Sequence, residues 1–106
     1  MNRRDRRERR SAVRIPVGCE ATIVPPPPYS RQSAVCLDLS VDGMTLKTRY
    51  VPRPDEVFDV IVVPPGSGTT PGSVRKMHVR VQVRRCQAIA GTGEFSLGVK
   101  ILHVLR

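Results

Sequence analysis

The sequence predicts an all-β fold: a six-stranded antiparallel β-barrel preceded by a flexible Arg-rich N-terminal arm. Three observations carry this. Apolar and polar residues alternate at every second position through most of the chain, the period of a strand with one buried face. The apolar residues are chiefly Val, Ile, Leu and Ala, with two Tyr, two Phe and no Trp, and β-branched side chains of this kind favour strands. No stretch shows a helical period, and Gly- and Pro-containing turn signals separate the alternating runs. A sheet of six such strands has exposed edges unless it closes, so a barrel is the economical arrangement. The 106 residues suit one domain, divided into an arm at 1–14 and a barrel at 15–106, with no internal repeat.

The strands follow in order. From Ile15 to Val24, the residues Ile15, Val17, Cys19, Ala21 and Ile23 fall on one face, with Gly18, Glu20 and Thr22 on the other. The run Pro25–Pro28 then ends any ladder, because proline lacks the amide hydrogen a ladder needs. A second strand spans about Ser33 to Leu39, with Val35, Leu37 and Leu39 assigned to the core and Cys36, Asp38 and Ser40 to the outer face. Asp42-Gly43 turns the chain, since glycine readily takes positive φ, and Met44, Leu46 and Thr48 alternate on the return. An apolar strand from about Val57 to Val63 comes after Pro52 and Pro54, and Pro64 to Ser73 reads as a mobile loop. Met77, Val79, Val81 and Val83 then oppose His78, Arg80, Gln82 and Arg84, the clearest alternation in the chain. Arg80 and Arg84 fall on a solvent face, where they solubilise or extend a basic surface. The last strand, about Phe95 to Val104, follows the Gly91-Thr92-Gly93 turn, and Gly98 within it marks close packing or a kink.

Charge is unevenly spread. The chain carries a net +9, and its first fourteen residues hold seven arginines against two acids, a net +5. Arginine outnumbers lysine fifteen to three, and guanidinium grips phosphate through two parallel N–H bonds and stacks on flat rings. An anionic partner is therefore expected. Several function classes are disfavoured. No apolar run approaches the roughly 20 residues of a membrane helix, and no secretory signal follows the paired arginines. Cys19, Cys36 and Cys86 form neither a disulfide framework nor a zinc motif and point to a reducing cytoplasm. His78 and His103 have no acid or thiol at ligand spacing, and no nucleophile–base grouping or phosphate-binding loop is present, so neither a metal site nor an enzyme is expected.

Two short patterns remain. Arg10-Ser-Ala-Val-Arg14 is an R-x-x-x-R immediately before the first strand, and Asp38-Leu-Ser40-Val-Asp-Gly43 is a D-x-S-x-x-G at the end of the second. In this order and on this strand pattern, the chain resembles the PilZ domain, the bacterial receptor module for cyclic di-GMP, from about Arg9 to Val104. Arg3/Arg7 and Arg6/Arg10 also satisfy R-x-x-x-R, but only Arg10/Arg14 abuts the first strand, as in the family. The resemblance implies a cyclic di-GMP site built from Arg9, Arg10, Arg14, Asp38, Ser40 and Gly43. Arg9, just before the motif, resembles the version that favours a stacked ligand pair. It further implies a signal that leaves through the surface to a protein partner, with no cofactor.

The chemistry is consistent with the name. Guanine O6 and N7 and each phosphate match a guanidinium fork, and a carboxylate such as Asp38 accepts from guanine N1–H and N2–H₂. Asp38 and Ser40, two apart, are expected on one outward face, with the Ser40 hydroxyl donating to phosphate or base and Gly43 admitting the ligand to the backbone. The plainer alternatives are a hairpin turn at Asp42-Gly43 and a capped strand end at Asp38 and Ser40. At the level of function, the alternatives are a nucleic-acid-binding barrel, disfavoured by the scarcity of aromatics for base stacking, and a PilZ-like adaptor that binds no ligand.

Overall fold

The computed structural model describes residues 13–64 and 76–105. The arm at 1–12, with Arg9 and Arg10, lies outside the described residues, as does most of the loop expected at Pro64 to Ser73. Six strands follow among the described residues: β1 Ile15–Val24, β2 Gln32–Leu39, β3 Gly43–Thr48, β4 Val57–Val62, β5 Met77–Ile89 and β6 Glu94–Leu105. All neighbours pair antiparallel, in the closed order β1-β2-β3-β6-β5-β4, with β4 returning to β1. The chain leaves β3 for β4 on the far side of β1, and the β5–β6 hairpin fills the gap between them. Closure leaves no edge among these strands, so every central ladder is paired.

The interior is aliphatic, as the composition requires. Ile23, Met44, Leu46, Val60, Val62, Val79, Val81 and Leu97 are fully buried, drawn from all strands except β2, which contributes Ala34 and Cys36. Each large side chain contributes about 1.5–3 kcal/mol through burial. Phe58 is buried near the barrel end, where Tyr50 packs edge-on against it at 6.0 Å and 83°. The one buried threonine is satisfied: Thr48 Oγ1 donates to the Ser33 carbonyl at 2.8 Å and accepts the Tyr50 amide at 3.1 Å.

Strict alternation fails at two places that matter for the site. In β2, Ala34 and Cys36 face the core rather than Val35 and Leu37, which corrects the faces expected from the sequence. The register explains it. β1–β2 pairing jumps from Cys19↔Cys36 to Pro16↔Asp38, β2–β3 pairing jumps from Cys36↔Leu46 to Asp38↔Thr45, and Leu37 has no partner on either side. Opposite it, Gly18 takes φ 60°, the left-handed conformation of a glycine bulge. The bulge inverts the parity of the strand, so Leu39 returns to pack on the core and Asp38 turns outward. Without it, Asp38 would share the interior face of Cys36.

The second failure is in β5, which runs past Arg84 to Ile89. Val79, Val81 and Val83 are buried as the alternation predicts. A register shift between Val83 and Arg85 then puts both Arg84 and Arg85 on the outside.

Candidate functional site

Asp38 reaches the outer surface through the β2 bulge, and there it meets Arg14. The guanidinium Nη1 donates to Asp38 Oδ1 at 2.9 Å, joining the last residue before β1 to the penultimate residue of β2. The two motifs singled out in the sequence, 24 residues apart, are thus in direct contact. The inner side of the bulge is also satisfied, because the Cys36 thiol donates to the Asp38 carbonyl at 3.2 Å. Burial, reinforced by the neighbouring Cys19, pushes the Cys36 thiol up to about 12, so it stays protonated and packs as a small apolar residue.

Ser40 is not on the outer face with Asp38. It is buried beneath the hairpin, where its Oγ accepts the Gly43 amide at 3.1 Å and has Asp42 Oδ1 at 3.0 Å and the Gly43 carbonyl at 3.2 Å as acceptors for its hydrogen. The Ser40 amide also donates to the Gly43 carbonyl at 2.9 Å, and the Asp42 carbonyl accepts from Ile101 at 2.9 Å, tying the turn to β6. These bonds fix the loop that carries Asp42.

Gly43 is required for a different reason from the one expected. It is not among the glycines of positive φ, which are Gly18, Gly91 and Gly93. A Cβ at Gly43 would lie 2.7 Å from the Val99 carbonyl oxygen and 3.6 Å from Arg14 Nη2. The residue is therefore a close-approach glycine, letting β3 sit against β6 under the arginine.

Beside this contact lies an open cleft of about 270 Å³, lined by Arg14, Asp42 and Gly43 together with Arg84 and Arg85 of β5 and Gly98, Val99 and Lys100 of β6. Four cations surround it and Asp42 is its one acid, so it favours an anion. Arg14 and Gly43 were legible as motif residues. Arg85 was not, because β5 carries no motif and its one signal was the doubled arginine where the alternation breaks; Lys100 lies in the Leu97-Gly98-Val99-Lys100-Ile101 run that belongs to the family resemblance, but no site role was assigned to it. Arg84, read as a surface residue of a solvent face, lines the cleft. Arg9 and Arg10 lie outside the described residues, so the structure brings together Arg14, Asp38, Ser40 and Gly43.

A second charged cluster sits on the β4–β5 face. Asp59 accepts Arg80 Nε on Oδ1 at 2.8 Å, and its Oδ2 lies 3.1 Å from His78 Nε2. The Arg80 hydrogen bond, with that of His78, holds the Asp59 carboxyl below its usual value against the opposing effect of burial. Among the described residues no group of three His, Cys, Asp or Glu could hold a metal, and no helix is long and apolar enough to cross a membrane.

Comparison with known proteins agrees with the barrel and the family resemblance. The model of the PilZ domain family matches residues 6–106. No match to a curated protein was found. Among solved structures, the Bacillus subtilis inhibitor of motility (MotI/DgrA) is similar, with a TM-score of 0.71 at 14% identity, covering 89% of this chain and 43% of that one. At that identity the likeness shows the fold, and the chain spans under half the length of that structure.

Proposed function

The chain belongs to the PilZ domain family, and from that premise we propose that it is a receptor for cyclic di-GMP that relays the signal to a protein partner. The observation that carries this reading is the contact of Arg14 with Asp38 at 2.9 Å on the rim of a cleft ringed by cations and floored by glycine. A ligand with two phosphates and two guanines needs guanidinium forks for its phosphates and base edges, and a carboxylate for its N1–H and N2–H₂. Arg14 and Asp38 supply one of each. Arg9 and Arg10 are the further cations that this reading assigns to the phosphates, and Gly43 leaves its strand without a side chain there. Ser40 acts from beneath, by fixing the hairpin against β6.

Each hydrogen bond to a charged group contributes about 1.5–3 kcal/mol net. Rearrangement of the arm when the ligand bridges its arginines would change the surface presented to a partner, and this is the route by which a barrel of this size would transmit a signal.

Calorimetric titration with cyclic di-GMP at physiological salt tests the reading. Saturable binding that is lost in Arg10→Ala and in Asp38→Ala supports it, and the stoichiometry separates one ligand from a stacked pair. Absence of heat and of a thermal shift would replace it with a ligand-free adaptor. A nucleic acid is distinguished by salt: a polyanion gives a steep log–log loss of affinity, a ligand with two phosphates a shallow one.

A further inference from the structure

No strand of this barrel is an edge strand, but closure does not run the full length of every strand. β4 pairs with β5 from Val62↔Met77 to Val57↔Gln82. One more bond, from the Val83 amide to the Glu56 carbonyl at 2.9 Å, ends that ladder. The loop before β4 lies away from β5. Asp55 takes φ 60°, the Glu56 amide donates to the Arg53 carbonyl at 3.1 Å, and the Asp55 carbonyl accepts Gln82 Nε2 at 3.2 Å. β5 continues through residues 84–89, which pair with β6 alone, from Arg85↔Gly98 to Ile89↔Glu94. All of these but Ile89 are exposed. Over about 20 Å, the side of β5 turned from β6 therefore offers backbone donors and acceptors that no described strand uses.

A cleft of about 430 Å³ adjoins this stretch, lined by residues 83–86 of β5 and residues 52–55 of the loop before β4. Its charges are Arg53, Arg84 and Arg85 against Asp55. Among the described residues no carboxylate forms an ion pair with any of these three arginines. An unpaired edge is completed by an extended segment that adds a strand to it, and the cations select the charge of that segment. A second copy of this chain, pairing edge to edge, would bring Arg84 and Arg85 again and no acid, and the Arg-rich arm would bring more of the same charge. We propose that residues 84–89 are a docking edge for an extended, acidic segment of a partner protein, held by backbone pairing and selected by Arg53, Arg84 and Arg85. This rests on the reading above for the existence of a protein partner, and on nothing about cyclic di-GMP.

The probe is an acetylated octapeptide of alternating Glu and Val, added at millimolar concentration to the full chain with and without cyclic di-GMP. Amide hydrogen exchange is read residue by residue by NMR. The amides of residues 84–89 that do not bond to β6 are expected to slow about tenfold at saturation, and those of the central ladders to stay unchanged. The same peptide with every amide N-methylated keeps its charges and loses its donors, so it should give no protection. Arg53→Glu, on the loop and outside the motif cleft, should weaken the peptide about fivefold. No slowing in either ligand state overturns the docking edge. Equal protection by the N-methylated peptide overturns the strand pairing, and unchanged affinity in Arg53→Glu overturns the acidic preference. Protection of the same amides by a single-stranded DNA dodecamer would pass the surface to nucleic acid, and protection that rises with protein concentration alone would pass it to a second copy. Either result overturns the proposal. Calorimetry with cyclic di-GMP decides the receptor reading separately, so each can fail alone.

Discussion

The β4–β5 face and the β3–β6 face each carry charged residues on a barrel wall, yet they are built to different ends. On the first, Asp59 has Arg80 on one oxygen and His78 beside the other, so the carboxylate is fully occupied by its own neighbours. On the second, Arg14 is held by Asp38, while Arg84, Arg85 and Lys100 gather around a cleft whose one acid is Asp42. The backbone differs too. β4 pairs with β5 in unbroken register, whereas the cleft lies beside register shifts in β1, β2 and β5 and over two close-approach glycines. A regular ladder alternates and so spaces its charges evenly; a bulge breaks the alternation and crowds them. Charges that cancel locally stabilise a surface a little, and charges left in excess over bare backbone are available to a ligand.

That contrast can be broken most sharply by removing one carboxylate from each face. Asp38→Ala is expected to reduce cyclic di-GMP affinity about 100-fold, roughly 2.7 kcal/mol, whereas Asp59→Ala should leave it within about twofold. Equal losses in calorimetry would show that the two faces do not differ in kind. Next in size is Gly43→Ala. Its methyl would meet the Val99 carbonyl, a backbone atom that cannot swing away, so β3 and β6 must separate. A loss of about 1–3 kcal/mol in urea unfolding is expected. An unchanged midpoint would mean that the approach of the two strands is not tight.

Ser40→Ala sharpens the comparison by testing the loop without touching its charges. The Gly43 amide loses its buried acceptor, and a loss of about 1 kcal/mol in stability is expected. Ligand affinity should fall less than in Asp38→Ala, because Ser40 acts by holding the hairpin. The smallest effect belongs to the Asp59 cluster. Its carboxyl is lowered in the folded state, so its contribution is complete above the ordinary Asp value, near pH 4, and is lost as pH falls through the lowered one. Thermal unfolding of Asp59→Asn should therefore differ from wild type slightly at pH 7 and converge with it in strong acid. A difference that grows on acidification would reverse the sign of this coupling.

Much of the fold was legible because periodicity is a local property. Strand β1 matches its expected bounds from Ile15 to Val24, and the alternation of Val79, Val81 and Val83 is the one observed. Turn residues separated the strands correctly. What misled was the assumption that alternation continues unbroken. In β2 it exchanged the faces of Cys36 and Leu37, and it set Ser40 on the surface beside Asp38, where it is buried instead. The R-x-x-x-R and D-x-S-x-x-G patterns gave Arg14, Asp38 and Gly43 as neighbours, and the first two touch. Arg85 carried no such pattern, Gly98 and Lys100 belonged to the resemblance only as part of the last strand, and all three join the cleft through the pairing of β6 with both β3 and β5.

By itself the sequence determined the fold class, the number of strands and their succession along the chain, the excess of arginine, and the family resemblance, since each is written in residue types and short spacings. Tertiary structure alone decided which way Asp38 points, why residue 43 must be glycine, and which cations share a cleft with Arg14. Those depend on register between strands distant in sequence. A shift of one residue in register exchanges inside for outside, and no local pattern records it.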